Sequence, residues 1–543
     1  MKRHHKIPPY LPFPKGGETY PPFCKWFDLL TILSLSKEGN EGELDKLFQR
    51  AIWLQLKIIS KPLKGKETMK PDLKKALKKI DTKDWKAVHV EFGRNELKIL
   101  VPRHCVELSM KEVPVLLDPK TALEAAFSHP IGSPTLEEII RKKGKPPEEI
   151  SVAIAVSDIT RPVPYKGEKS ILLPILKRLE SSGIRKQNIK IIVATGMHRA
   201  STPEEKVEMY GEEGVQEYAI SDHDCENNDL LESIGKTQKG THVYVNRDFY
   251  VADLKIATGL VESHFMTGIS GGRKAICPGL VDVNSIQRFH GVGYLEDPNA
   301  DNLILEGNPC HEEAIEVART VGVDLIANVT LNKEMEITGV FVGHLEEAHM
   351  AAYRHMKGYT AVPVDQEYDI VLTHGGYVGR NHYQTAKAAC GAIPAMKEGG
   401  MLIIAADNRD TEPIGTPEYR SLIHLLKLQG IDRYLRIISH PDWKFTKDQW
   451  EPEVWGRVLR KIGEEGLIYC TLEISEEDYC LLPGRCGLDF LKKKKKRPSM
   501  KESGEMVQNA IFFAVNRYRE KGIEPTMAFI REGPYAVPVL QKQ

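Results

Sequence analysis

His264 and Lys274 stand ten residues apart, His290 follows sixteen residues later, and the stretch Gly268-Ile-Ser-Gly-Gly-Arg273 lies between the first two. Histidine is the commonest metal ligand and a proton shuttle near neutral pH. A lysine beside a glycine-rich turn can hold a phosphate as a point charge or bond covalently to a carbonyl compound. The spacing points to a bound, phosphorylated cofactor carrying a metal.

Further polar candidates fall just after apolar runs that read as strands. Asp158 and Arg161 follow Val152–Val156 in Ser-Asp-Ile-Thr-Arg-Pro; His198 and Arg199 follow Ile189–Ala194; His264 follows Asp253–Ala257 on a short tether. Tyr383, Gln384 and Lys387 lie beyond Asp369–Thr373 at a helix start. In parallel α/β sheets, ligands gather at the carboxyl ends of strands, where loops and helix amino termini offer free N–H groups. Converging strand ends would place these residues around one cleft. Singly, each has a plainer reading: a satisfied strand-end histidine, a local Asp–Arg turn pair, a solvated lysine. The functional reading rests on their combination.

The elements that must position them are legible from residue 151 onward, where short apolar runs alternate with amphipathic helices, the pattern of a parallel sheet. Helices are predicted at 171–182, stopped by Gly183, at 309–321 between Asn308 and Gly322, and at 345–356 ending at Gly358. Thr202-Pro-Glu-Glu205 offers a capping box with proline at the first helical position. After Pro363 a second module repeats the scheme: strand 369–373, helix 384–396, strand 401–405. The fold class that follows is two Rossmann-like α/β domains with parallel sheets and a cleft between them, plus a mainly helical N-terminal extension. The divisions read as 1–85 for the extension, with a helix over 43–58 and a lysine-rich run over 61–79; 86–360 for a cofactor-binding catalytic domain, including a strand pair near 88–101; 361–500 for the second α/β domain; and 501–543 for a C-terminal segment packing back on the catalytic domain. Lys492–Arg497 reads as an exposed joint.

Composition narrows the function. Lysine plus arginine and aspartate plus glutamate each total 75, a balance that argues against nucleic acid or an anionic membrane as partner. Nine cysteines at irregular intervals, without CxxC, fit a reducing cytoplasm better than a disulfide framework or a structural zinc site. The amino terminus makes a poor signal peptide, and no apolar run approaches the roughly 20 residues a membrane helix needs. The expected partner is a small molecule.

Taken together, Asp158-Ile-Thr-Arg161-Pro, Thr195-Gly-Met-His198-Arg199, Glu262-Ser-His264, Gly268-Ile-Ser-Gly-Gly-Arg-Lys274-Ala-Ile-Cys-Pro-Gly279, His290 and Tyr383-Gln384-Thr-Ala-Lys387 resemble the lactate racemase family, from about residue 86 to the carboxyl terminus. The resemblance implies an isomerase that inverts C2 of a 2-hydroxy acid by reversible hydride transfer to a nickel-pincer nucleotide, a pyridinium mononucleotide holding nickel through a ring carbon and two sulfurs. It implies that Lys274 fixes one cofactor arm as a thioamide and that His290 is the fourth nickel ligand. It assigns the phosphate to Gly268, Ser270, Gly271, Gly272 and Arg273, counts Asp158 among the cofactor contacts, and makes His198 and His264 the two acid/base groups. Arg161, Tyr383, Gln384 and Lys387 would line the substrate side, and the proteins that build the cofactor become possible partners. Trp450 is placed on the far wall of the pocket, although core packing accounts for it equally well.

The chemistry suits the substrate. Removing a proton from C2 would set a carbanion beside a carboxylate, whereas removing hydride leaves a planar 2-keto acid that can be refilled on either face. Two other classes stay open at this point. A zinc hydrolase could use His198, His264 and His290 as ligands, though it leaves Lys274 without a task. A non-catalytic carrier would hold the nucleotide without turnover.

Overall fold

Val152–Val156 reads Val-Ala-Ile-Ala-Val and is buried at every position, as a central parallel strand covered on both faces must be. In the computed structural model, which describes residues 80–493 and 496–541, that strand sits inside the first of two six-stranded sheets. All the described residues belong to one compact unit. The chain runs through β1 Trp85–Phe92, β2 Asn95–Pro102, β3 Val106–Leu108, β4 Val152–Val156, β5 Ile189–Val193, β6 Ala219–Asp222, β7 Leu231–Lys236, β8 His242–Asn246, β9 Leu254–Leu260, β10 Ser263–His264 and β11 Gly268–Ile269. It continues with β12 Leu325–Leu331, β13 Ile337–Gly343, β14 Ala361–Val364, β15 Tyr368–His374, β16 Met396–Ala406, β17 Leu467–Thr471, β18 Arg485–Cys486, β19 Met527–Ile530 and β20 Val537–Leu540.

The first sheet has the order β13-β12-β9-β4-β5-β6. It is parallel except for β13, which returns antiparallel on β12. The second, β18-β17-β16-β15-β19-β3, is parallel throughout. The two Rossmann-like parallel sheets anticipated from the sequence are thus present. The predicted helices appear as Leu172–Ser181 and Pro309–Val321, the latter capped by the Asn308 side chain and closed by Gly322 in the left-handed conformation. Thr202 and Glu205 complete their capping box.

Three features differ from the expectation. The helix foreseen to end at Gly358 runs from Glu347 to Thr360, because its buried face continues through Tyr359 and outweighs one glycine. The helix foreseen over 384–396 spans His382–Gly391 and gives way to a short turn at Ile393–Ala395, since Pro394 cannot donate into a helix. The ends of the chain are also shared differently. β3, from the segment assigned to the first domain, pairs with β19, and β19 pairs with β15. The C-terminal segment, expected against the catalytic domain, therefore supplies a strand to the second sheet, and the helix Met500–Arg519 buries Met506, Ala510 and Ile511 in the core beside it. Sheet pairing joins residues far apart in sequence, so a boundary read from chain order misses it. The predicted helix 43–58 and the lysine-rich run 61–79 lie outside the described residues, as does part of the 492–497 joint.

Candidate active site

The turn after β4 is fixed before any ligand is considered. The Tyr165 hydroxyl accepts from Ser157 N–H at 2.8 Å and meets Thr258 of β9, while the Tyr210 hydroxyl donates to Ser157 C=O. Asp158, next in the chain, accepts from the Thr160 amide at 3.1 Å and its hydroxyl at 2.5 Å through one oxygen. The other oxygen accepts from His198 Nδ1 at 2.6 Å. Burial pushes the Asp158 carboxyl up, but the His198 and Thr160 bonds prevail and hold it below its ordinary value. Asp158, expected among the cofactor contacts, is thus the carboxylate that orients His198. In the neutral tautomer that donates from Nδ1 to this carboxylate, Nε2 of His198 carries the lone pair.

His264 is held in the opposite sense. Its Nδ1 accepts from the amides of Met266 and Thr267 at 3.2 and 3.4 Å, so the neutral ring carries its proton on Nε2. Burial drives its pKa well below the usual value, with help from Lys274, Arg161, Lys387 and His290. His290, at the end of the helix Val283–Phe289, donates from Nδ1 to Ile286 C=O at 2.8 Å. Its Nε2 is left unprotonated, and burial lowers its pKa to about 3. A metal-binding imidazole is commonly arranged in this way, its second nitrogen anchored to a carbonyl.

Around these rings lie three cations and one carboxylate. Arg161 pairs with Glu262, and although burial pushes the Glu262 carboxyl up, Arg161, Lys387 and Lys274 bring it below normal. Neither Lys274 nor Lys387 has a hydrogen-bond partner for its amine among the described residues, and burial lowers both, Lys274 strongly. Burial that disfavours the ammonium so strongly, as at Lys274, suits an amine that acts as a nucleophile. Tyr383, Gln384 and Lys387 share the less buried side of the helix His382–Gly391, whose core side carries Thr385, Ala386 and Ala389. The Trp450 ring packs 4.7 Å from the His290 ring and stacks on Phe445. Trp450, left between wall and core by the sequence, thus braces the His290 ring.

The glycine loop departs most from its assignment. Gly268 and Gly271 have φ of 77° and 72°, and a Cβ on Gly271 would meet Asn328 Oδ1 at 2.7 Å. Gly272 N–H already donates to Asn328, and the Ser270 hydroxyl is shared between Leu260 C=O and Glu262 N–H. Arg273 is fully buried and donates to the carbonyls of Thr267 and Ile269 and to His349. Most of the hydrogen-bonding groups expected at phosphate from Ser270, Gly272 and Arg273 hold the loop itself together, while Arg273 Nε is buried without a partner. What they secure is the position of Lys274, one residue further on. Sequence reasoning gave no role to Glu262, which compensates the cations, or to Glu451, 2 % exposed beside Trp450 and raised to about 8 by burial. A buried acid has no signature in sequence.

The described residues contain no group of three histidine, cysteine, aspartate or glutamate side chains able to hold a metal, which removes the three-histidine zinc reading. The donors do fit a cofactor that brings most of its own ligands: one open imidazole at His290 and one unpaired amine at Lys274. No helix among the described residues is long and apolar enough to cross a membrane.

Two open, largely parallel sheets, with titratable groups and cations gathered at their strand ends, define an α/β protein with a polar cleft. Residues 92–302 match the lactate racemase N-terminal domain and residues 364–477 the lactate racemase C-terminal domain. The chain is 34% identical to the lactate racemase of Lactiplantibacillus plantarum over 345 residues, covering 63% of this chain and 78% of that protein. It is 29% identical to that of Thermoanaerobacterium thermosaccharolyticum over 377 residues, 68% of this chain and 85% of the relative. The structure of the lactate racemase apoprotein from the latter organism superposes with a TM-score of 0.69 at 26% identity, covering 84% of this chain and all of that one. A Thermotoga maritima protein at 19% identity and TM-score 0.51 shares the fold. The chain belongs to the lactate racemase family, which places it among the racemases, a class of isomerase.

Proposed function

We propose that this protein racemises or epimerises a 2-hydroxy acid at C2 with a nickel-pincer nucleotide as cofactor. The observation that carries the reading is the opposed hydrogen bonding of two histidines in a cation-rich cleft. His198 offers a bare Nε2, and His264 offers an Nε2–H. His198 would take the hydroxyl proton at Nε2, while the His264 Nε2–H would hydrogen-bond the substrate oxygen; as the second acid/base, His264 would give up its Nε2 proton only after protonation at Nδ1, the nitrogen that now accepts from the Met266 and Thr267 amides.

When bound, the cofactor supplies the electron-poor ring that takes and returns hydride, with nickel tuning that ring. The residues of the chain do the rest. Lys274 would attach one thio-acyl arm and His290 would coordinate nickel through Nε2. Arg161 and Lys387 would hold the substrate carboxylate, the guanidinium by a planar fork and the ammonium as a point charge. Asp158 fixes the His198 tautomer. Tyr383 and Gln384 would complete the substrate wall, and Trp450 would keep the His290 ring in place. The division into a cofactor-bearing part ending near 360 and a substrate-wall part after it follows from the same assignment.

The test is to reconstitute the full chain with cofactor, supply single-enantiomer 2-hydroxy acids in deuterated water, and follow optical purity. Interconversion is expected, as is a nucleotide mass adduct at Lys274. His198→Ala and His264→Ala are each expected to abolish turnover, and full activity in either variant refutes the pairing.

A further inference from the structure

The cleft does not end at the Arg161 and Lys387 side chains. It continues as a pocket along the carboxyl edges of β4, β9 and β12, facing the loops after β15 and β19. Lys333 and Tyr535 lie on its wall together with Arg161, Lys387 and Glu262. Three cations therefore line the pocket with one carboxylate, which Arg161 already compensates, while Glu91 stands within electrostatic reach of Lys333 and Tyr535.

Two further facts make this a site rather than an empty corner. The Tyr535 hydroxyl is buried and has no hydrogen-bond partner, a costly condition for a phenol unless a ligand completes it. Lys387 likewise has no partner among the described residues, and Lys333, exposed at the mouth, approaches only its neighbour Glu334, at 3.6 Å. Free donors thus collect at one end of the pocket, apart from the Arg161–Glu262 pair.

We propose that Lys333 and Tyr535 form a second anion subsite beyond the Arg161–Lys387 clamp, so that the favoured substrate is a 2-hydroxy acid bearing a second carboxylate. One carboxylate would sit between Arg161 and Lys387, the other against the Tyr535 hydroxyl and the Lys333 ammonium. The substrate class rests on the reaction proposed above; the subsite does not. The same chemistry would serve a phosphate on the cofactor, and the experiment separates the two sources.

Tyr535→Phe removes a hydroxyl that bonds to nothing in the free protein, so it is expected to fold as stably as the parent. Lys333→Met keeps the length of the side chain and drops its charge. Calorimetric titration of the full chain without cofactor, using malate and lactate, is expected to show malate binding roughly tenfold tighter, the worth of one charge-assisted hydrogen bond. Both variants are expected to lose most of that preference while lactate binding stays within about twofold. In parallel, bound nucleotide per chain is measured after reconstitution. If the variants lose nucleotide and keep the malate preference, the subsite exists and its anion is the cofactor phosphate. If neither quantity changes, or malate never outcompetes lactate and nucleotide content is unaffected, the subsite is refuted. Malate binding that depends on Tyr535, in a protein that racemises nothing, would sink the proposed reaction and leave the subsite standing.

Discussion

Asp158→Asn isolates the link between structure and proton transfer. One oxygen of Asp158 is claimed by the Thr160 amide and hydroxyl, at 3.1 and 2.5 Å, and the other meets His198 Nδ1 at 2.6 Å. In the asparagine variant the two Thr160 donors select the carbonyl oxygen, so the amide NH2 turns toward His198. It then donates to Nδ1 and drives the ring proton to Nε2, the nitrogen that must be bare to accept from substrate. The lost charge-assisted bond is worth about 1.5–3 kcal/mol. Because the His198 side chain is 58% exposed and water can replace part of that bond, the lower half of the range applies, about a tenfold fall in kcat. Substrate binding falls to Arg161 and Lys387, so KM stays near its parent value. Asp158→Ala leaves the tautomer free, and is expected to be more active than Asp158→Asn although it removes more atoms. The assay is the initial rate of loss of optical rotation, with the His198 tautomer read by nitrogen NMR on ring-labelled protein. If Asp158→Asn matches the parent, or falls above Asp158→Ala, the orienting role assigned to Asp158 is wrong.

Lys274→Ala is expected to fold, since its amine bonds to nothing, and to show no nucleotide adduct by mass spectrometry; an adduct of unchanged mass would place the attachment elsewhere. Arg273→Met strips the donors from the Thr267 and Ile269 carbonyls and is expected to lower stability by about 3 kcal/mol or more in urea unfolding; unchanged stability with lost nucleotide would return Arg273 to a phosphate-binding role. Stability is also expected to depend on pH through buried histidines. Burial lowers His290 and His382 to about 3 and His374 to about 4, against about 6.5 when unfolded. Between pH 4 and 6.5 the unfolded chain binds protons that the native chain refuses, so stability is full above 6.5 and falls as pH drops through that window. The three groups together give a slope of about 4 kcal/mol per pH unit well inside it, and a flat unfolding free energy from pH 6.5 to 4.5 would contradict their burial as neutral rings.

By itself the sequence determined which local structures form and which side chains can do chemistry. Val152–Val156 has to be a doubly covered strand because nothing in it tolerates water, and Asn308 with Gly322 delimits a helix by local hydrogen bonding alone. The same reading put His198 and His264 beyond strand ends and Lys387 near a helix start, and the structure keeps them after β5, after β9 and within the helix His382–Gly391. Only the tertiary structure decided what each nitrogen and oxygen is bonded to. Asp158 meets His198 across 40 residues, Arg273 meets His349 across 76, and Tyr535 reaches the pocket from the loop after β19. Those partners set the tautomers of His264 and His290, tied the glycine loop to Asn328 and His349 beside Lys274, and left the Tyr535 hydroxyl unpaired. Local propensity acts over a few residues, whereas a proton's position depends on whatever the fold brings within about 3 Å, and that is fixed only when the two sheets have closed around the cleft.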